Sequence, residues 1–241
     1  MLVAAAVCPS PPLLVPQLAA GAAEELADAR TACSDALAVL AASRPDLLVV
    51  VGSVAHGQGG GYDEGTHGSF ASFGVDLTVT LGSAGARPTG EGAPGPLPAS
   101  LAVGAWLLER ARWSAAPVAG VAVAEGLAPD ACAVLGADLG GSADRVAMLV
   151  LGDGSACRTL KAPGYLDDRA EPFDAAAARA LGAADTAALA ALDPVLAHEL
   201  KAAGRAPWQV LAGAAQGAGL DGRLLYEDAP YGVGYFVAAW S

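Results

Sequence analysis

Three stretches of this sequence are apolar without interruption and stop abruptly at small or polar residues. Residues 2–8 (LVAAAVC) run into Pro9-Ser10-Pro11-Pro12, residues 47–51 (LLVVV) into Gly52-Ser53, and residues 146–151 (VAMLVL) into Gly152-Asp153-Gly154-Ser155. A strand with one wet face alternates apolar and polar residues, whereas a strand without alternation is covered on both faces. Such strands are joined by helical crossovers. The runs therefore predict a mostly parallel central sheet with helices on both faces, an α/β fold. In such sheets ligands bind beyond the carboxyl ends of the strands. The segments at 9–10, 53–56 and 153–157 are expected to share one crevice.

The rest of the chain fits this frame. Pro9, Pro11, Pro12 and Pro16 hold off a helix until Gln17. Residues 17–43 then predict one long Ala-rich helix, with Leu18, Leu26, Ala29, Cys33, Leu37 and Leu40 at helical spacing. Residues 53–74 read as an irregular Gly-rich loop, and a loop of that length in a compact domain is usually functional. Alternation over 76–81 predicts a half-exposed strand, and 83–98 a Gly/Pro loop. Helices are expected over 99–113 and 129–139, with a strand over 118–123 between them. Residues 155–171 read as a loop, 172–219 as three or four short helices, and 223–226 and 232–239 as two closing strands. With 241 residues and 54% hydrophobic content, one domain spanning 1–241 is sufficient.

The net charge of −12 makes nucleic acid and anionic lipid unsuitable partners. No apolar run reaches the roughly 18 residues of a membrane span. The N-terminal run has no basic region before it, since the first basic side chain is Arg30. It reads as a buried strand rather than a signal peptide. Cys8, Cys33, Cys132 and Cys157 are scattered with no C-x-x-C pair. That pattern suits free thiols in a reducing compartment, and the expected location is cytoplasmic.

Chemistry-bearing residues gather at the strand ends. Ser10 follows the first strand and reads as a turn cap. His56 closes VVVGSVAHG, Asp153 and Ser155 follow the third run, and Cys157 stands two residues further on. Asp153 is expected to tie its loop. His67 lies in the long loop behind Asp63 and Glu64, a grouping that could hold a divalent cation if the loop ordered it. Cys157 as a nucleophile needs an activating base, and His56 is the nearest candidate. His198 reads as a surface residue within a helix. The glycines of 57–61 (GQGGG) lack the Gly-Lys-Ser/Thr of a phosphate-binding loop, and Ser155 lacks the G-x-S-x-G elbow of a hydrolase.

Four segments in this order carry a resemblance: CPSPPLL (8–14), VVVGSVAHG (49–57), GDGSACR (152–158) and YEDAPYGVGYFV (226–237). Together they resemble the class III extradiol ring-cleavage dioxygenases, the LigB-like superfamily, over nearly the whole chain. The resemblance implies a LigB-like fold and an Fe(II) site, whose open positions bind substrate and O₂. It also implies that key positions have changed. The first iron ligand, a His in the family, falls on Ser10, and the second falls on His56. The third, a Glu, falls on Ala202 or Ala203, with Glu199 one helical turn upstream. The acid/base His falls on Ala156 or Cys157.

The resulting expectation is a divergent homologue without Fe(II)-dependent ring cleavage, binding an unknown small molecule in the strand-end crevice and needing no cofactor. Two alternatives stand beside it. One is a metal-dependent oxidoreductase or dioxygenase with reassigned ligands, drawing Fe(II) or another divalent metal to His56, His67, Asp63 and Glu199. The other is a structural or interaction protein on the same scaffold, as a homodimer or other homo-oligomer.

Overall fold

The computed structural model describes residues 1–55, 57, 59–83 and 95–241. Its elements run in this order: β1 (Leu2–Cys8), α1 (Pro16–Ala19), α2 (Ala27–Ala42), β2 (Leu47–Val54), β3 (Gly60–Tyr62), β4 (His67–Ser69), β5 (Thr78–Thr80) and α3 (Ala99–Ala111). They continue through β6 (Val118–Ala124), α4 (Pro129–Gly140), β7 (Val146–Leu151), α5 (Ala170–Gly182), α6 (Thr186–Ala190), α7 (Pro194–Glu199), α8 (Arg205–Ala214), β8 (Gly222–Asp228) and β9 (Tyr235–Trp240). Among the described residues, seven strands form the central sheet in the order β3-β6-β2-β7-β1-β9-β8. The inner strands β6, β2, β7 and β1 are parallel. β3 on one side, and β9 and β8 on the other, are antiparallel additions.

The uninterrupted apolar runs are buried on both faces because each supplies two cores. Leu48 and Val50 of β2, with Ala147, Leu149 and Leu151 of β7, face α2 and α3. Val49 and Val51, with Val146, Met148 and Val150, face α5 and α8. In β1 the register shifts between Leu2 and Ala4. The resulting bulge puts Leu2 on the same face as Ala5 and Val7.

On the second face α4 and α8 lie almost backbone to backbone. A Cβ on Gly136 would sit 2.0 Å from the Val210 carbonyl oxygen, and one on Gly213 would sit 2.4 Å from that of Ala133. Only glycine fits such an approach, so the spacing of this helix pair is written into two residues. Gly59 has the same role at the sheet edge, where a Cβ would sit 2.3 Å from the Ala122 carbonyl oxygen.

Several expectations are corrected. The single helix over 17–43 is three pieces: α1, a tight 3-10 segment Ala20–Leu26, and α2. Leu26 leaves helical geometry (φ −108°, ψ 18°) while its side chain is fully buried. The loop over 53–74 is more regular than expected. β2 extends to Val54, β3 joins the main sheet, and β4 pairs with β5 in a separate two-stranded sheet. The last strand starts at Tyr235 rather than at 232, because Gly234 is engaged by the loop after β7 instead. Most of the expected Gly/Pro loop, residues 84–94, lies outside the described residues, as does His56.

Gly136→Ala should lower stability by about 2–3 kcal/mol through overpacking, roughly 5–10 °C in melting temperature for a chain of this size. Gly126→Ala, where an added Cβ meets nothing within 4 Å, should leave it unchanged. Thermal unfolding followed by circular dichroism reads both.

Candidate functional site

The crevice arises from the topology. The chain leaves β1 toward α2, which covers one face of the sheet, and leaves β7 toward α5, which covers the other. These strands are neighbours, so their loops diverge and open a gap at their carboxyl ends, the usual ligand position in such sheets.

Asp153 and Ser10 meet across that gap. The Ser10 amide donates to Asp153 Oδ1 at 2.7 Å, and the Asp153 carbonyl accepts from the Gly204 amide at 2.7 Å. One residue thus joins the ends of β1 and β7 to the start of α8. Part of the residue's surface reaches solvent, yet its carboxyl is enclosed by protein. Burial pushes its pKa up to about 7, the Ser10 hydrogen bond opposes that rise, and the Glu125 carboxylate adds to it. This places a protonatable acid near neutrality at a strand-end crevice, the kind of group that serves as a binding switch or general acid.

Beneath Asp153 lies a second carboxylate, fully buried. Asp174 Oδ1 accepts from the Ser155 amide at 2.7 Å and Oδ2 from the Ser155 hydroxyl at 2.8 Å. Arg158 Nη1 donates to Oδ2 at 3.2 Å. A Cβ on Gly154 or Gly234 would strike this carboxylate at 2.8 Å and 2.5 Å. Gly154 and Gly234 are themselves joined, the Gly154 amide donating to the Gly234 carbonyl at 2.7 Å. Burial pushes the Asp174 pKa up against the pull of Ser155 and Arg158.

On the α7–α8 side a cavity of about 270 Å³ is bounded by Glu125, His198, Lys201, Ala202, Ala203 and Arg205. Arg205 is only 3% exposed and forms no ion pair among the described residues. Its guanidinium donates to the carbonyl oxygens of Glu125 and Leu127 and to Gln209 Oε1. Lys201 holds a left-handed backbone (φ 56°), uncommon for a residue other than glycine.

The residues singled out from sequence fall into distinct places. Ser10 and Asp153 are brought together. The cap expected of Ser10 is not made by its side chain: the following turn has no side-chain cap, and the Ser10 amide is instead held by Asp153. Ser155 is wholly buried and spent on Asp174. Cys157 is a core thiol facing the Leu200 carbonyl at 3.5 Å, its pKa raised chiefly by burial. His67 is exposed in the two-stranded sheet, its Nδ1 3.1 Å from Thr80 Oγ1. Glu64 accepts from the Ser83 amide at 2.9 Å. Glu199 is paired with Arg169 at 2.6 Å on the surface. Ala202 and Ala203 line the cavity on the α7–α8 side.

Asp174, Glu125 and Arg205 were not foreseen. Asp174 carried a signal: with 170, 173, 177, 178 and 181 it falls on the buried stripe of α5, where a lone acid needs a partner. The four cysteines are free and buried. Among the described residues no helix is long and apolar enough to cross a membrane.

No family model and no curated protein matches this chain. Among solved structures it is similar to the uncharacterized protein JW3007 of Escherichia coli K12, at 14% identity and a TM-score of 0.54, over 99% of both chains. That likeness concerns the α/β fold alone.

Both carboxylates are open to measurement. Asp174→Ala strips the Ser155 amide and hydroxyl and Arg158 of their buried acceptor, and should cost about 3 kcal/mol or more in denaturant unfolding. Asp153 supplies a pH signature. Its carboxyl titrates near 3.8 when unfolded and near 7 when folded. The folded state therefore keeps a proton that the unfolded state has lost. Its contribution to stability is full below pH ~4, falls as pH rises and is gone above ~7, by at most about 1.4 kcal/mol per pH unit. Asp153→Asn should flatten the stability profile between those limits.

Proposed function

We propose that this chain is a divergent LigB-like protein that binds a small polar molecule in its strand-end crevice and does not carry out Fe(II)-dependent ring cleavage. The observation that carries the reading is the Ser10–Asp153 contact. The position matching the first iron ligand bears a serine whose amide is tied to a buried, protonatable carboxyl. A hydroxyl is a poor substitute for imidazole toward Fe(II). At the positions matching the third ligand, Ala202 and Ala203 offer methyl groups to the cavity. At the position matching the acid/base, Ala156 has no proton to transfer, and Cys157 is buried against Leu200 with a raised pKa. The groups suited to binding are Glu125, His198 and Lys201 around the cavity, with Arg205 held behind them by Glu125, Leu127 and Gln209 and Asp153 joined to the start of α8 through Gly204. A ligand with both an anionic and a hydrogen-bonding group fits that mixture of charges.

The test has two arms. Protein prepared without an affinity tag and reconstituted anaerobically with Fe(II) should retain iron well below one per chain and consume no O₂ with catechol. Iron close to one per chain, lost on His56→Ala, would overturn the reading in favour of a reassigned metal site. In the second arm, native mass spectrometry of the purified chain should show a bound small molecule. It should be absent from Ala203→Trp, which fills the cavity, while circular dichroism stays unchanged.

A further inference from the structure

The loop that leaves β7 does more than carry Asp153. Beyond Arg158 it turns outward and, with Pro230 and Tyr231 of the β8–β9 turn, walls a recess of about 690 Å³. That volume is in the range of small-molecule sites. The recess shares no lining residue with the cavity on the α7–α8 side.

Its walls combine two chemistries. Leu160 and Leu166 remain 63% and 44% exposed, and with Pro230 and the Tyr231 ring they form an apolar surface left facing water. The Tyr231 hydroxyl is buried at the edge of this surface, and burial, then the interaction with the nearby Glu25 carboxylate, push its pKa up. Against this surface stand two cations. Arg158 is fixed from behind by the buried Asp174 carboxylate at 3.2 Å, yet its side chain stays 25% exposed. Its guanidinium is therefore oriented in advance, which reduces the entropy lost on binding. Lys161 is exposed and has no ion pair among the described residues. In a chain of net charge −12, two cations beside an apolar recess run against the surrounding field. Glu227 and Asp228 line a different recess of about 400 Å³, which shares only Arg158 and Thr159 with this one. Asp228 Oδ1 is occupied by the Ala229 amide at 2.7 Å.

We infer that this recess binds a small amphipathic acid: an aliphatic monocarboxylate with its carboxylate at Arg158 and Lys161 and its chain against Leu160, Leu166 and Pro230. A heavily hydroxylated ligand is disfavoured, because its hydroxyls would lie unpaired against leucine and proline.

Isothermal titration calorimetry with octanoate, octanamide and acetate tests this on the full chain. Octanoate should bind once per chain. Octanamide, which keeps the chain and loses the charge, and acetate, which keeps the charge and loses the chain, should each bind at least about tenfold more weakly. Lys161→Glu and Leu166→Glu, both at exposed positions, should weaken octanoate by about tenfold or more with unchanged melting temperatures. Equal binding of octanoate and octanamide, unaltered affinity in Lys161→Glu, or no saturable octanoate binding would each overturn the assignment. So would a concentration-dependent dimer broken by Leu166→Glu with no octanoate bound, which would make the recess a contact between copies of the chain.

Discussion

A single buried carboxylate ties together the loops at the carboxyl end of the sheet. Asp174 sits on α5, yet its oxygens are taken by Ser155 and Arg158 from the loop after β7. Two glycines, Gly154 and Gly234, allow the two backbones to close around it. An acid so deeply buried is tolerated only where donors meet both oxygens, and its environment supplies an amide, a hydroxyl and a guanidinium. The consequence reaches past the carboxylate. With 154–155 pinned to Gly234, Asp153 is left facing the end of β1, and Arg158 is left facing outward. Both the crevice and the outer recess take their geometry from that anchor.

The crevice lies where ligands bind in sheets of this kind. The family resemblance would give the three metal-ligand positions to Ser10, His56 and Ala202 or Ala203, and the acid/base position to Ala156 or Cys157. What the tertiary structure adds is an acid of a different kind. Asp153 acquires a neutral-range pKa from enclosure and from Glu125, two causes that do not involve any family motif. Arg205 and Lys201 line the cavity on the α7–α8 side together with Glu125, so that cavity carries charges of both signs.

Much of the scaffold was legible from residues alone. The unbroken apolar runs became the parallel strands β1, β2 and β7, because a run with no polar face can be accommodated only between two layers. Strand ends rich in proline, glycine and serine became the loops of the crevice. Short-range detail was less legible. Gly59–Gly61 looked like loop but lies close against β6, since glycine at a sheet edge permits an approach no side chain would allow. The break at Leu26 was not legible in the helical spacing of residues 18–40, where Leu26 itself keeps the pattern and is fully buried while its backbone departs from helix.

Composition and pattern by themselves determined the layer architecture and the placement of Ser10 and Asp153 at strand ends. These depend on hydrophobic periodicity and on which residues end strands, both local properties. Only the tertiary structure decided that β1 and β7 are neighbours so that Ser10 meets Asp153, that Asp174 anchors the loop, that Ser155 and Cys157 are spent in the interior, and that Glu125 raises the pKa of Asp153. Each of these joins residues far apart in the chain, and burial and charge proximity exist only once the chain has closed.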